Sequence, residues 1–243
     1  MHPEICKIGP FTVYSYGLML VTAFFVSSWL ATQQARRLSL DPDLIFNLMF
    51  LVFIFGIIGA RLLYVIQNLE IYAKNPLEII MLQHGGLSWF GGLILSILVA
   101  VWYLKLKHLA VFVILDLIAP FAALAQAIGR IGCLLNGCCF GKISEYGLYF
   151  PVHDAILIPI QLYSSLILLL IFVILRFLQD RPHKSGQIFL TYLLLYSTKR
   201  FFVEFWRADN EIIFLGLTLF QVMSIAVFIF SLVALFMILK RKK

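Results

Sequence analysis

The chain has 243 residues, of which 62% are hydrophobic and only 13% charged, and its mean hydropathy is +0.98. Soluble domains carry roughly 25% charged residues, so this composition excludes a soluble protein and identifies an integral membrane protein. The formal net charge of +7 would suggest nucleic acid in a soluble chain; here it belongs to loops and helix ends that orient spans, and no nucleic-acid partner is expected.

The N-terminal MHPEICKIGPF has no basic region leading into an apolar core and a small-residue cleavage site, so no removable signal peptide is expected. Seven runs then approach the roughly 20 apolar residues that a span requires. They are Tyr16–Ala35, Leu44–Ile66, Leu87–Leu104, Val111–Ile128, Ile160–Phe177, Gln187–Phe205 and Leu215–Leu239. None alternates as barrel strands do, which leaves helices. The predicted fold is therefore all-α and integral to the membrane, with seven transmembrane helices in a single domain over 1–243. Short outer-face segments are expected near 67–86 and 129–159.

The cations orient these spans. If the loops alternate sides, 11 of the 19 Lys and Arg residues share one side: Arg36, Arg37, Lys105, Lys107, Arg176, Arg181, Lys184, Lys240, Arg241, Lys242 and Lys243. The positive-inside rule makes that side cytoplasmic, with the N-terminus outside and the C-terminus inside. The other eight are Lys7, Arg61, Lys74, Arg130, Lys142, Lys199, Arg200 and Arg207, most of them at or inside helix ends.

Candidate functional residues lie among these. Arg61 ends a GxxGAR run in the second span. His84, in QHGGLSWFGG at the mouth of the third, titrates near neutrality and is a candidate general base. Asp116 lies in the fourth span four residues before Pro120, as a counter-ion or a kink residue. Arg130 opens GRIGCLLNGCCFG, which packs three of the four cysteines and four glycines into a mostly apolar chain. Arg200, Glu204 and Arg207 share one helical face with Tyr196. Guanidinium groups bind phosphate in a bidentate fashion and stay charged, which suits a phospholipid headgroup. The plainer alternative is an Arg200–Glu204 structural pair, with Arg61 and Arg130 snorkelling to the interface.

Taken together, the residues resemble the prolipoprotein diacylglyceryl transferases. The resemblance runs through Tyr16-Gly17-Leu18-Met19, Gly59-Ala60-Arg61-Leu62, Gly85-Gly86-Leu87-Ser88 with Gly91-Gly92, and Asp116 with Ala119-Pro120. It continues in Gly129-Arg130-Ile131-Gly132, Asn136-Gly137, Gly141, Pro159 with Gln161-Leu162-Tyr163, and Arg200-Phe201 with Val203-Glu204-Phe205 and Arg207. The resemblance implies a multi-pass enzyme of the bacterial plasma (inner) membrane. Its reaction moves diacylglyceryl from phosphatidylglycerol to a prolipoprotein cysteine and releases glycerol phosphate, with no cofactor and no metal. By position, Arg130 and Arg200 match the family's essential arginines and Glu204 the carboxylate that orients them. Tyr16, Arg61, Asp116, Asn136, Gly137, Gly141 and Arg207 are the expected donor-site residues, with Arg130, Arg200, Glu204 and His84 expected to be catalytic.

The signature also departs from the family. Cys133 stands where Asn is usual, Cys138 where Glu is usual, Phe90 where His is usual, and Ile158 replaces a further histidine. One account is a divergent branch performing the same transfer; another is a paralogue with a phospholipid donor and a different acceptor. The cysteines are then inert packing, metal ligands, a redox pair bridging Cys133 and Cys138, or a covalent relay. CxxxxCC has no standard zinc-ligand spacing. A non-catalytic thiol-redox protein or lipid carrier is the remaining class, although no internal repeat supports a carrier.

Overall fold

The computed structural model of the chain describes residues 3–8, 11–81, 85–208, 210–214 and 216–240. Seven long helices run through them: α1 (Ser15–Arg37), α2 (Pro42–Gln67), α4 (Trp89–Leu106), α5 (Val111–Asn136), α6 (Ile160–Gln179), α7 (Gln187–Glu204) and α8 (Leu219–Lys240). A short α3 (Leu69–Lys74) and a 3-10 turn at Pro76–Ile80 follow α2. Six of the long helices are long and apolar enough to cross a membrane. The seventh, α7, has 18 residues but carries Thr191, Tyr192, Tyr196, Ser197, Thr198, Lys199, Arg200 and Glu204.

The expected spans match these helices closely at most ends, with one informative exception. The fourth span continues eight residues past Ile128, because nothing from Gly129 to Leu135 breaks a helix except two glycines. Arg130 and Cys133 are thereby helical. Three antiparallel hairpins were not expected: β1 (Glu4–Ile8) with β2 (Phe11–Tyr14), β3 (Ile143–Phe150) with β4 (Ala155–Leu157), and β5 (Ile212–Phe214) with β6 (Leu217–Thr218). Their strands are two to eight residues long, too short to stand out beside apolar runs of about 20 residues.

The chain forms two compact units, residues 28–111 and residues 1–27 with 112–243. In the unit of residues 28–111, α2 starts on an Asp41 cap whose carboxylate accepts from the Asp43 amide at 2.9 Å, with Pro42 in the first turn. α2 and α4 then pack backbone to backbone. A Cβ on Gly59 would lie 2.5 Å from the Gly91 carbonyl oxygen, and one on Gly91 would lie 2.2 Å from that of Gly59. Small residues on facing helices permit this approach, which is how helices associate without a hydrophobic driving force in lipid. Ser96 adds a hydrogen bond to the Val52 carbonyl at 3.1 Å.

In the other unit, Ala119, Ala123 and Ala127 recur every four residues on α5 and meet Leu168, Ile171 and Leu175 of α6 and Ile188 and Tyr192 of α7. Pro120 has no N–H and so leaves the Asp116 carbonyl without its helical partner. Gln179 of α6 replaces that partner, donating to the carbonyls of Asp116 at 2.8 Å and Leu117 at 3.2 Å. Such compensation is obligatory where no water reaches the backbone.

Candidate functional site

The end of α7 is organised around one carboxylate. Glu204 sits one turn after Arg200, and its Oε2 lies 3.0 Å from Arg200 Nη2 and 4.0 Å from Arg207 Nε. Its Oε1 accepts from the Thr218 hydroxyl at 3.0 Å and from the Asn210 amide. The Glu204 side chain is wholly buried. The Arg200 guanidinium also lies 4.4 Å from the centre of the Phe220 ring, so a carboxylate and an aromatic face together fix its orientation.

Lys199 joins this group, although the sequence reading assigned it no role. It is only 6% exposed, its ammonium lies 5.3 Å from the Tyr196 ring centre, and Arg130, Arg200 and Arg207 are all near enough to repel it. Among the described residues Lys199 has no carboxylate partner. The signal in the sequence was a lysine beside an arginine inside an apolar run, where a cation is expensive. Among the described residues, Glu204 is the carboxylate that pairs with Arg200 and Arg207, and Arg130 and Lys199 lie beside these arginines. Buried cations without counter-ions are strongly destabilising, and an anion entering the cluster removes that cost.

Arg130 leads to the cysteine turn. After Asn136 the chain leaves α5 through Gly137, whose φ is +77°. The Gly137 amide donates to the Leu134 carbonyl and the Cys138 amide to the Cys133 carbonyl, both at 3.1 Å. This is the Schellman pattern, in which a left-handed residue after the helix lets two amides cap its last carbonyls. It folds Cys138 back over Cys133, with the Cys138 sulfur 3.7 Å from the Cys133 carbonyl oxygen. Cys139 has a φ of +62°, a conformation that a residue with a Cβ rarely adopts, and it turns the third thiol into the same place. The three sulfurs lie within 4.8 Å of one another.

The turn is pinned from several directions. Gln161 donates to the Cys138 carbonyl at 2.6 Å, the His153 ring nitrogen lies 2.9 Å from the Gly137 carbonyl, and the His153 ring packs 4.2 Å from that of Phe140. The Gly141 amide donates to the Ile158 carbonyl at 2.9 Å, and the Lys142 amide to that of Trp206 at 2.9 Å. The bond to Trp206, with the antiparallel bridge between Gly141 and Arg207, ties the turn to the segment that carries Arg207. The Cys139 thiol is held below its ordinary pKa, first by hydrogen bonds from Cys133 and Cys138 and also by the charges of Arg130 and Arg207, against the effect of burial.

Several expected site residues fall here and others do not. Tyr16 borders the turn: a Cβ on Gly132 would lie 3.5 Å from its ring, and its hydroxyl feels Arg130 and all three cysteines. The Asn136 side chain lies beside the Cys138 thiol. Gly137 supplies the left-handed turn, and Gly141 gives clearance, since a Cβ there would lie 2.8 Å from Ile158.

Arg61 and Asp116, both expected in the donor site, have other occupations. The five N–H donors of Arg61 go to the carbonyls of Glu78, Ile79, Met81, Gly85 and Gly86. In this arrangement every Arg61 donor is engaged by loop backbone, which ties α2 to the segment after it. Asp116 accepts from the amides of Gly186 at 2.6 Å and Phe189 at 2.8 Å, capping α7. About 21 Å of helix rise separates it from Arg130, so it serves the opposite end of the helix. His84, the expected base, lies outside the described residues. Phe90, at the position of the usual histidine, packs edge-to-face on Trp89 at 5.1 Å.

The sequence profile described as "Prolipoprotein diacylglyceryl transferase" matches residues 3–237. The phosphatidylglycerol-prolipoprotein diacylglyceryl transferase of Bacillus cereus is 35% identical to this chain over 249 residues, covering 97% of it and 91% of the relative. The proteins of that name from Bacillus cytotoxicus and Bacillus mycoides are 35% and 34% identical, again over 97% of the chain and over 90% and 91% of their own lengths.

Proposed function

The chain belongs to the prolipoprotein diacylglyceryl transferase family, and on that premise we propose that it transfers diacylglyceryl from phosphatidylglycerol to the cysteine thiol of a prolipoprotein, releasing glycerol phosphate. The observation that carries this reading is the group of buried or half-buried basic side chains, with Glu204 against Arg200 and Arg207, and Arg130, Arg200 and Arg207 all close to Lys199. A phosphodiester headgroup is the anion that fits it.

In the proposed mechanism Arg130 and Arg200 hold the phosphate, while Glu204 fixes the plane of Arg200 and the position of Arg207. The acceptor sulfur attacks the glyceryl carbon that bears the phosphate ester. The C–O bond breaks, its electron pair leaves with the glycerol phosphate, and the proton lost by the thiol is balanced on that product. Charge grows on the leaving phosphate in that transition state, and cations already in place stabilise it without reorganisation. Lys199 adds a point charge beside the guanidinium pair. Tyr16, Asn136 and the backbone from Gly137 to Gly141 complete the proposed donor site, with Tyr16 near Arg130. Arg61 and Asp116 contribute through the fold alone.

The proposed setting is the bacterial plasma membrane. The chain crosses it seven times with α7 counted, N-terminus outside and C-terminus cytoplasmic, as one domain with outer-face segments near 67–86 and 129–159. The 11 cations that fall on one side under this threading support it. The polarity of α7 accords with a helix that lines a cavity rather than facing lipid. The test is to incubate the purified protein with phosphatidylglycerol and a peptide bearing a prolipoprotein cysteine, then weigh the peptide. A diacylglyceryl adduct is expected, and its absence beside an active relative run in parallel overturns the reading.

A further inference from the structure

Three thiols converge on one point beside the phosphate-binding cations, and the transfer described above gives none of them a task. The C-cap of α5 accounts for part of this convergence. A Schellman turn commonly brings two apolar side chains into contact, one near the helix end and one just beyond it, and Cys133 with Cys138 satisfies that on packing grounds. Cys139 is different. Its φ of +62° occupies a conformation that glycine or asparagine takes at little cost, whereas other residues hold it at about 1–3 kcal/mol. The strain places its sulfur within 4.8 Å of the other two, a result that packing does not require.

The geometry points to a zinc site formed by Cys133, Cys138 and Cys139, with its fourth position open to the thiol of the acceptor. Zn–S bonds of about 2.3 Å in tetrahedral geometry put the sulfurs about 3.8 Å apart, so each pair has at most about 1 Å to close. Gln161 and His153 fix the turn through the carbonyls of Cys138 and Gly137, which limits reorganisation on binding. The irregular spacing is then a product of the helix cap. Two ligands come from the ends of the Schellman turn and the third from the strained residue after it.

Charge favours the same assignment. Arg130 and Arg207 lie close enough to Cys139 for their charges to act on it. A zinc ion with three thiolates carries one negative charge, so the site stays open to a phosphodiester. Three protein ligands and one open position also characterise catalytic zinc. This inference rests on the transferase reading, and it supplies that chemistry with an activated nucleophile. The acceptor thiol binds zinc as thiolate, and its proton is balanced on the released glycerol phosphate. Its sulfur forms the C–S bond as the glyceryl C–O bond breaks, and the thioether product, a neutral and weaker ligand, leaves. No electrons are exchanged with the metal.

The experiment measures metal and thiols on the full chain purified in detergent without chelator, using mass spectrometry of the metals and a thiol titration. About one zinc per chain is expected. Each of Cys133→Ser, Cys138→Ser and Cys139→Ser should retain less than about a tenth of it, and Cys6→Ser, at an exposed thiol, should retain it all. In protein loaded with cobalt, the thiolate charge-transfer band should shift on adding a peptide with the prolipoprotein cysteine and stay fixed with its serine analogue. Wild-type protein with three reduced thiols and no metal overturns the site, as does a disulfide among them or retention of copper in place of zinc. A cobalt band that ignores the cysteine peptide overturns the open-position role. Adduct formation by metal-free protein overturns the zinc inference and leaves the transferase reading standing. Zinc-bearing protein that makes no adduct defeats the transferase reading and leaves the metal site.

Discussion

Replacing Glu204 by Gln keeps the size and one acceptor oxygen of the side chain while deleting its charge. Thr218 and Asn210 can still donate to the remaining oxygen, but Arg200 and Arg207 lose the carboxylate now 3.0 and 4.0 Å away. Removing one partner of a buried pair typically costs about 3–5 kcal/mol. Both arginine side chains are nearly enclosed, at 11% and 8% exposure, so solvent screening recovers little. The cluster becomes more positive, so phosphatidylglycerol should still bind, while the plane of Arg200 is no longer fixed. The expected outcome is a split: kcat falls about a hundredfold, equivalent to about 2.7 kcal/mol, and KM for phosphatidylglycerol stays level or falls. Steady-state kinetics in mixed micelles with varied lipid fraction would measure both. A raised KM with unchanged kcat would refute an orienting role and make Glu204 a lipid contact.

Arg61→Lys leaves three donors for five carbonyls, and at about 1.5–3 kcal/mol per hydrogen bond to a charged group the thermal midpoint in detergent should drop clearly. An unchanged midpoint would contradict its role as a loop anchor. Gly91→Ala places a Cβ about where the Gly59 carbonyl oxygen now lies, so α2 and α4 must part and folded yield should collapse. Gly129→Ala meets nothing within 4 Å and should be neutral or slightly stabilising, by up to about 1 kcal/mol of helix propensity; size-exclusion profiles and melting curves compare the two. Asp116→Ala removes the cap of α7 at a cost of about 0.5–2 kcal/mol. Activity per folded molecule should persist, and its loss at unchanged stability would return Asp116 to the site.

Much of the fold was legible because lipid simplifies the sequence. Apolar runs of span length mark six of the long helices, and α7 was found in spite of its polar face because Gln187–Phe205 still has the length. The hairpins were missed because strands as short as Leu217–Thr218 carry almost no periodic signal. The site divides in the same way. Arg200, Glu204 and Arg207 announced themselves through helical spacing, since three charges on one face of an apolar helix need a purpose.

Arg61 and Asp116 looked equally purposeful, and what they bind is backbone. The carbonyls of Glu78, Ile79, Met81, Gly85 and Gly86 and the amides of Gly186 and Phe189 leave no trace in side-chain chemistry. Lys199 stood in the sequence only as one of eight cations off the cytoplasmic side, and its burial is what singles it out. The cysteines were read as irregularly spaced. The irregularity disappears once the helix is seen to end at Asn136, with Gly137 and Cys139 both left-handed.

The central claim, that the cation cluster binds the phosphate of a diacylglyceryl donor, is tested most directly by intact mass of a prolipoprotein peptide after incubation with phosphatidylglycerol and Arg130→Gln or Arg200→Gln protein. Each variant should elute as folded protein and leave the peptide unmodified, while wild type adds one diacylglyceryl group to its cysteine. Full modification by either variant would contradict the account.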